Sequence, residues 1–568
     1  VYLSTGKADE FVKDFLRFSG GKVVSDDAHA PGVEIGRPTD TYRSVKIESL
    51  FGKMHVIVTD GHLPYPYGRE LMGYEVGTLA DTLEKAKAAG VTVIVAPYSS
   101  RGRLWHAAVF LLWSGGADSD EAQPQTEDIP ARPSIMFNRW QEDWSVLADP
   151  RVPREPLDGL KYIPLSADDP ESYLSFGANL RERFEANDAA AFATGPNHTA
   201  DYDISRFEVF ANLRLGPQFQ FFTELQSDYA LGKQSLTPVD QDRPVDLEQA
   251  FIVFIEPLDQ GLLKFRLGRQ QFAVDLQRFI SFRDGPNVRL SFDAAWLEYV
   301  RGSWSYIAFY SRPVQDRDLR PFDDYSNNQF TFNGFRVERK VMESAAVSVY
   351  YARYDQDGVK YLTISGNEKR DILDSHFSGT IRSIDWDVEA MRQSGQVGGE
   401  DIEAWGFGSL AGYTWAKIPW KPRAGIQLDA ASGDKNPNDH QLNTFNPLFP
   451  NGYYVALAGY TGYVNFIHLK PSITVHPTEA LQVLTAIGMQ WRETTADAIY
   501  LQPNIPVAGT AGYPGRYTGT YGQGRIDYAA TSHLALALEV VHFQVGGAIH
   551  AVGGHDSNYA GAQFTFGW

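Results

Sequence analysis

The sequence predicts a mainly β protein: a transmembrane antiparallel β-barrel of about 16–18 strands, with 18 favoured, behind an N-terminal α+β domain of βαβββ-repeat type. Three observations predict it. Beyond Tyr173 apolar residues recur with period two to the end of the chain, so one face of each segment is apolar and the other polar. The composition is rich in aromatics, with 34 Phe, 29 Tyr and 12 Trp among 568 residues, yet the mean hydropathy is −0.30. Alternating strands produce that pairing, because each lipid-facing residue is diluted by a lumen-facing one. Finally, the longest apolar stretch, Ala107 to Trp113 (AAVFLLW), is strand-sized, and a helical span needs about 18 or more apolar residues.

Residues 1–125 follow a different pattern. Lys7 to Phe18 places Phe11, Phe15, Leu16 and Phe18 at helical spacing, and Ala80 to Ala89 ends at Gly90, a helix stop. Strand-like runs cover Ser44–Leu50, Met54–Thr59, Val91–Ala96 and Ala107–Trp113, and a further strand opens at Gly73–Val76. This order resembles the glyoxalase and vicinal-oxygen-chelate family, most clearly over Gly73 to Arg103 (GYEVGTLADTLEKAKAAGVTVIVAPYSSRGR). The resemblance implies a divalent metal held by His and Glu from the opening and closing strands of each module. Here Leu71 stands where the His would fall, and Gly115-Gly116-Ala117-Asp118 replaces the Gly-Gly-Glu ending. His55, His62 and His106 are the remaining donors, and single histidines on strands are more often structural. The expectation is therefore a degenerate, non-catalytic copy with no metal and no cofactor, used for packing or for binding a periplasmic partner. The alternative is a glyoxalase- or dioxygenase-like metal enzyme fused to a barrel anchor.

Residues 126–170 read as a linker and barrel-entry segment. Ala117 to Arg132 is acidic and poor in apolar residues. Phe137 to Pro164 sets Trp140 and Trp144 among charges with neither strand nor helix period, as in a segment that enters or caps the barrel or in an ordinary ordered connector.

The barrel is expected over residues 171–568. In Tyr173–Glu185, Leu174, Phe176, Ala178, Leu180 and Phe184 share one face, and Ser175, Gly177, Asn179, Arg181, Arg183 and Glu185 share the other. Ser205–Leu215 sets Phe207, Val209, Ala211, Leu213 and Leu215 against Arg206, Glu208, Asn212 and Arg214. Unpaired charge is costly in a packed core and tolerated in a wet lumen. Further strand candidates are Phe219–Leu225, Leu263–Gly268, Trp304–Tyr310, Val347–Tyr354, Arg423–Ala430, Leu481–Trp491 and His533–Phe543. The closing segment, Tyr559 to Trp568, puts Ala560, Ala562, Phe564, Phe566 and Trp568 on the lipid parity and should pair with the strand near Tyr173.

Several segments in order resemble the alginate-export family of outer-membrane proteins. They are EDWSVLADP at 142–150, LDGLKYIPL at 157–165, YLSFGANLRERFE at 173–185, LKFRLGRQQF at 263–272, TFNPLFPNGYY at 444–454 and WRETTADAIY at 491–500. The resemblance implies a passive channel in the outer membrane of a Gram-negative bacterium. It also implies that the stretch at 263–289 contributes to an electropositive constriction. Arg181, Arg183, Arg206, Arg214, Arg266 and Arg269 fall on or beside inward positions, and Arg278, Arg283 and Arg289 follow them. Forked guanidinium donors match carboxylates, so such a lumen favours anionic saccharides or small organic anions. The competing expectation is that these arginines pair with Glu185, Glu208, Glu224, Asp228 and Asp293 and merely brace the wall. Residues 444–454, with two Pro and Asn451-Gly452, do not form a regular strand throughout. Phe445, Phe449, Asn451 and Tyr453 are the candidate gating-loop residues, the alternative being a surface loop.

The formal net charge of −19 argues against nucleic-acid binding, and the absence of cysteine excludes thiolate chemistry. The expected surroundings are membrane lipid and lipopolysaccharide. A chain opening on Val1 is expected to have lost a leader.

Overall fold

The computed structural model describes residues 2–3, 5–31, 41–49, 52–58, 92–99, 106–111, 132–195, 199–234 and 239–568. Two compact units divide the chain, Val1–Glu127 and Asp128–Trp568.

In the first unit a helix, Thr5–Ser19, is followed by strands Lys22–Pro31, Thr41–Ser49 and Gly52–Val58. The short strand Tyr2–Leu3 pairs parallel with Gly52–Val58, whose other edge meets Thr41–Ser49 in antiparallel register. Ala8 and Phe15 of the helix pack on Val45, Ile47, Met54, Val56 and Val58, which share the helix-facing side of the sheet. Thr92–Ser99 and His106–Leu111 form a separate antiparallel pair. His62, the strand expected at Gly73–Val76 and the helix expected at Ala80–Ala89 lie outside the described residues.

The second unit is a closed barrel of 18 antiparallel strands. They are β1 Tyr173–Asn187, β2 Ala200–Leu215, β3 Phe219–Leu231, β4 Asp242–Leu258, β5 Gly261–Gln270, β6 Phe292–Arg301, β7 Trp304–Gln315, β8 Phe330–Met342 and β9 Ala345–Lys360. Then follow β10 Ser365–Ile381, β11 Ile384–Val397, β12 Glu400–Thr414, β13 Arg423–Ala431, β14 Phe466–Thr478, β15 Leu481–Trp491, β16 Tyr517–Ala529, β17 Leu534–Val545 and β18 Ser557–Gly567. Closure is by β18 on β1, from Tyr559 opposite Asn187 to Gly567 opposite Asn179. With no open edge, each wall strand is paired on both sides, as a bilayer requires.

The alternation has the physical effect expected of it. Phe184, Phe207, Val209, Leu538, Val540, Phe564 and Phe566 are exposed on the outer face, whereas Arg181, Arg183, Arg206, Glu208, Glu539 and Tyr559 are buried on the inner one. Trp304, Tyr413, Trp415, Trp420 and Tyr528 stand exposed beside the tight turns. They supply the aromatic girdle that anchors a barrel at a lipid–water interface. Trp568 departs from its assigned parity: its ring lies 4.6 Å from Lys161 Nζ at the barrel mouth. The last strand ends at Gly567, so the pleat no longer dictates where the next side chain points.

The longest connections gather at one end. At the end where β1 begins the turns are short, and Gly302-Ser303 joins β6 to β7. At the opposite end the connections 271–291, 432–465 and 492–516 are long. Short periplasmic turns and long outer loops are the usual asymmetry of such barrels.

Candidate functional site

Two inserts enter the lumen, and the 432–465 connection packs onto the first of them. The first is the connection from β5 to β6, residues 271–291, which leaves one wall and reaches both sides. Arg278 pairs with Asp387 at 3.0 Å and with Glu389, both on β11. Towards the other side Asp284 meets Arg206 of β2, and its main-chain oxygen accepts from Arg181 of β1 at 2.6 Å. Asn287 Nδ2 donates to the carbonyls of Ser205, Tyr229 and Asp240, which fixes the far end. The connection is therefore a strap across the channel.

The 432–465 connection lies on this strap. Phe449 and Ile280 form a parallel bridge, with Ser281 N to Phe449 O at 2.9 Å. Phe445 and Phe449 are buried among Phe279, Phe292, Phe330, Phe332 and Tyr463. Tyr453 stands over Arg183, its ring 5.1 Å away, and its hydroxyl donates to Gly285 O at 3.3 Å. The Asn451 side chain accepts from Tyr453 N at 3.1 Å, closing a turn.

The second insert is the stretch before β1. Its short helix Asp158–Lys161 leads to Ile163–Pro164, which pairs with the start of β1, so it enters at the tight-turn end. Trp144, Leu147 and Val152 pack on Tyr173. Arg139 reaches Asn179 Oδ1 at 2.7 Å and the main-chain oxygen of Trp568 at 2.6 Å. Phe137 stacks on Phe282 of the strap with ring centroids 4.5 Å apart, and Arg289 lies 4.4 Å over the same ring. The two inserts thus meet inside the barrel.

The nine arginines divide into groups. Arg181, Arg206 and Arg289 converge on Asp284, at 3.8, 2.5 and 2.7 Å from its Oδ1. That carboxylate is 43% exposed although the guanidiniums of Arg181, Arg206 and Arg289 are 5%, 2% and 9% exposed. Desolvation inside the barrel opposes ionisation of Asp284, but Arg206, Arg289 and Arg181 outweigh it and hold the carboxyl well below its usual range. Arg289 also pairs with Glu208 at 2.6 Å. Arg183 pairs with Glu185 and Glu539, and Arg269 with Asp293 at 3.0 Å. Arg278 is held on β11 as above. Arg283 donates to Leu448 O at 3.2 Å. Arg214 donates to Trp140 O and Glu142 O, and Arg266 lies 5.0 Å from the Trp140 ring and 5.5 Å from those of Phe251 and Trp296. These last two hold the entry segment and do not meet the strap. Of the acids weighed as wall braces, Glu185, Glu208 and Asp293 pair with arginine; Glu224 accepts from Gln249 instead, and Asp228 accepts no hydrogen bond from any described residue.

Sequence reasoning passed over Asp284, Asn287, Arg139 and Lys161. The Asp284-Gly285-Pro286-Asn287 run is a turn signal that marks the tip of the strap. Nothing local in the sequence distinguishes Arg139 or Lys161 from surface charge.

A closed barrel with a lipid-ready exterior and a strapped, charged interior defines an outer-membrane channel protein. A family model described as alginate export matches residues 172–563, and the chain belongs to that family. It therefore resides in the outer membrane of a Gram-negative bacterium. Among solved structures the barrel is similar to Acinetobacter baumannii OccAB1 (TM-score 0.50, 9% identity, covering 72% of this chain and 99% of that one). Pseudomonas aeruginosa OpdO (TM-score 0.48, 11% identity, 72% and 98% covered) and a BenF-like porin from Pseudomonas fluorescens Pf-5 (TM-score 0.47, 10% identity, 70% and 99% covered) are also similar. At such identities the likeness to OccAB1 is one of fold alone. No curated protein matches the chain.

Proposed function

We propose that this channel passes anionic saccharides or small carboxylate solutes, and that the recognition point is the cradle formed by Arg181, Arg206 and Arg289. The supporting observation is that all three guanidiniums face one half-exposed carboxylate, Asp284. A carboxylate solute presents the same two oxygens, so Asp284 acts as a resident counter-ion that a passing anion replaces or shares. Phe445, Phe449, Asn451 and Tyr453 close the connection that overlies the strap and act as its gate. The exposed outer band contacts lipid and lipopolysaccharide.

Residues 1–125 are read as a non-catalytic copy of a vicinal-oxygen-chelate module, with residues 126–170 as linker and entry segment before the barrel at 171–568. A helix followed by three strands, with the first and last strands paired parallel, supports the module. His55 is engaged by Ser44 Oγ at 2.7 Å, which supports a structural role for it. Stoichiometric zinc, iron or manganese in the purified chain, removed by His55→Ala, would overturn that part.

Planar-bilayer reversal potentials test the channel. Under a salt gradient the wild type should prefer anions, and Arg206→Gln with Arg289→Gln should lose that preference because Asp284 is then left facing the lumen with one cation. Selectivity unchanged by the double substitution sinks the cradle.

A further inference from the structure

The same strap carries a second charged cluster, remote from Asp284. Asp275 of the strap, Asp374 of β10 and Glu389 of β11 each offer a carboxylate oxygen, and these lie within 4.8 Å of one another. Asp374 and Glu389 are 1% and 2% exposed. Around them Arg336 binds Asp275, Arg278 binds Glu389 and Asp387, and His376 bridges Asp275 and Asp387 at 3.0 and 2.7 Å. Arg336 also holds Glu338 at 2.9 Å. Among the described residues Asp275, Glu338, Asp387 and Glu389 pair with Arg278, Arg336 and His376 and Asp374 pairs with no cation, so with every carboxyl ionised and the imidazole protonated five negative charges meet three positive ones.

The deficit is localised. Neither carboxylate oxygen of Asp374 accepts a hydrogen bond from any described residue, and Asp275 Oδ2 has no such partner either. A separate side chain points to the same place. Tyr350 of β9, opposite Asp374 in the ladder, is 2% exposed, and its hydroxyl is likewise without a partner among the described residues. Buried polar groups that no neighbour satisfies are costly, and an uncompensated buried carboxylate is more so.

We propose that Asp275, Asp374, Glu389 and the Tyr350 hydroxyl form a calcium site that ties the strap to the channel wall. The donors are all hard oxygens, the set that calcium and magnesium take and softer metals do not. Calcium–oxygen bonds of roughly 2.3–2.6 Å span about 5 Å between opposed ligands, which suits the observed separations; magnesium at about 2.0–2.1 Å requires the ligands to close in. One divalent cation balances the two surplus carboxylates and gives Asp374 the partner that no described residue supplies. One ligand comes from the strap and three come from the wall, so occupancy sets how firmly the strap is held. The inference goes beyond the solute reading, since it concerns the opposite end of the strap and is measured by metal binding.

The test is calcium uptake by the full chain, purified in detergent and stripped with chelator, with equilibrium dialysis and elemental analysis as the readout. Wild type should bind one calcium per chain more than Asp374→Asn, and calcium should raise the temperature at which the folded band disappears on a gel for wild type only. Equal uptake by the two proteins overturns the site, and is the result expected if the carboxylates share a proton instead. If Asp374→Asn does not fold, Tyr350→Phe, which keeps the ring, decides: a threefold or greater loss of calcium affinity supports the site, and an unchanged affinity overturns it.

Discussion

Arg139 donates from Nη2 to the main-chain oxygen of Trp568 at 2.6 Å, across 429 residues of sequence. Its Nε faces Glu142 at 2.9 Å, with both side chains 1% exposed, and its ring contact is Phe210 of β2 at 4.7 Å. One guanidinium thus joins the entry segment to Trp568, just past β18, and to the wall strands β1 and β2. A barrel can only be sealed once its last strand has met its first, and Arg139 secures that seam from inside.

Replacing Arg139 by Met keeps most of the volume but removes the guanidinium that pairs with the buried Glu142. Glu142 retains its bonds from Met136 N and Trp144 Nε1, which limits the damage. The expected loss is about 3 kcal/mol, read as a lower temperature for loss of the folded band on a gel. Arg139→Met with wild-type heat resistance would show that the seam does not depend on this contact.

Lys161 gives a pH dependence of known sign. Its ammonium lies among the rings of Trp144, Phe210 and Trp568 at 5.2, 5.3 and 4.6 Å and has no hydrogen-bond acceptor among the described residues. Burial pushes its pKa down to about 7, with Arg139 adding to the effect. Below that value folded and unfolded chains both carry the charge, and the folded one bears the full desolvation cost. Between about 7 and the ordinary lysine value near 10.4 the unfolded chain binds a proton that the folded chain releases, so stability rises with pH. Lys161→Met should be the more stable protein at neutral pH, by a few kcal/mol at most, and should lose this rise. Parallel pH profiles for the two proteins would refute it.

How much of this was legible in the sequence depends on the range of the interaction. The wall was legible because alternation is local: Phe207 and Val209 turn out and Arg206 and Glu208 turn in whatever lies beyond them. The filling of the lumen was not. Phe309, Phe332 and Tyr350 face inward, where they meet the strap and the 432–465 connection, yet in the sequence they look like lipid-facing residues. The arginine pattern identified residues but not partners, because Asp284 is a single acid in a turn and acquires meaning only when the strap crosses to Arg206. Asp374 and Glu389 sit on the two strands of one hairpin, but Asp275 is 99 residues before Asp374, so no spacing announces the three together.

Asp284 has the opposite sign from the arginines around it. Asp284→Asn removes the resident charge from the cradle while its amide oxygen still accepts from Arg206 or Arg289. The gain in attraction for a solute carboxylate is about 1 kcal/mol, roughly fivefold in anion-over-cation permeability. Reversal potentials in a salt gradient give the ratio directly. A shift toward cations would mean that Asp284 does not neutralise these arginines in the working channel.

Phe449 is the side chain on which the proposed gate is packed. Its ring lies 5.1 Å from Phe292, 5.3 Å from Phe332 and 5.6 Å from Phe330, while Arg283 stands 5.8 Å over it. Its backbone is bonded to the strap on both sides, through Phe279 O and Ser281 N. Truncation to Ala removes the ring but leaves those bonds, so the loop loses its anchor to β6 and β8 without leaving the strap. The local cost is about 3–4 kcal/mol, enough to populate open arrangements of the loop without unfolding the wall. Single-channel recordings of Phe449→Ala should show larger conductance with added flicker and unchanged selectivity, since the guanidinium cradle is elsewhere on the strap. Unaltered conductance would place the resistance of the channel away from this connection, and altered selectivity would mean that the loop and the cradle move together.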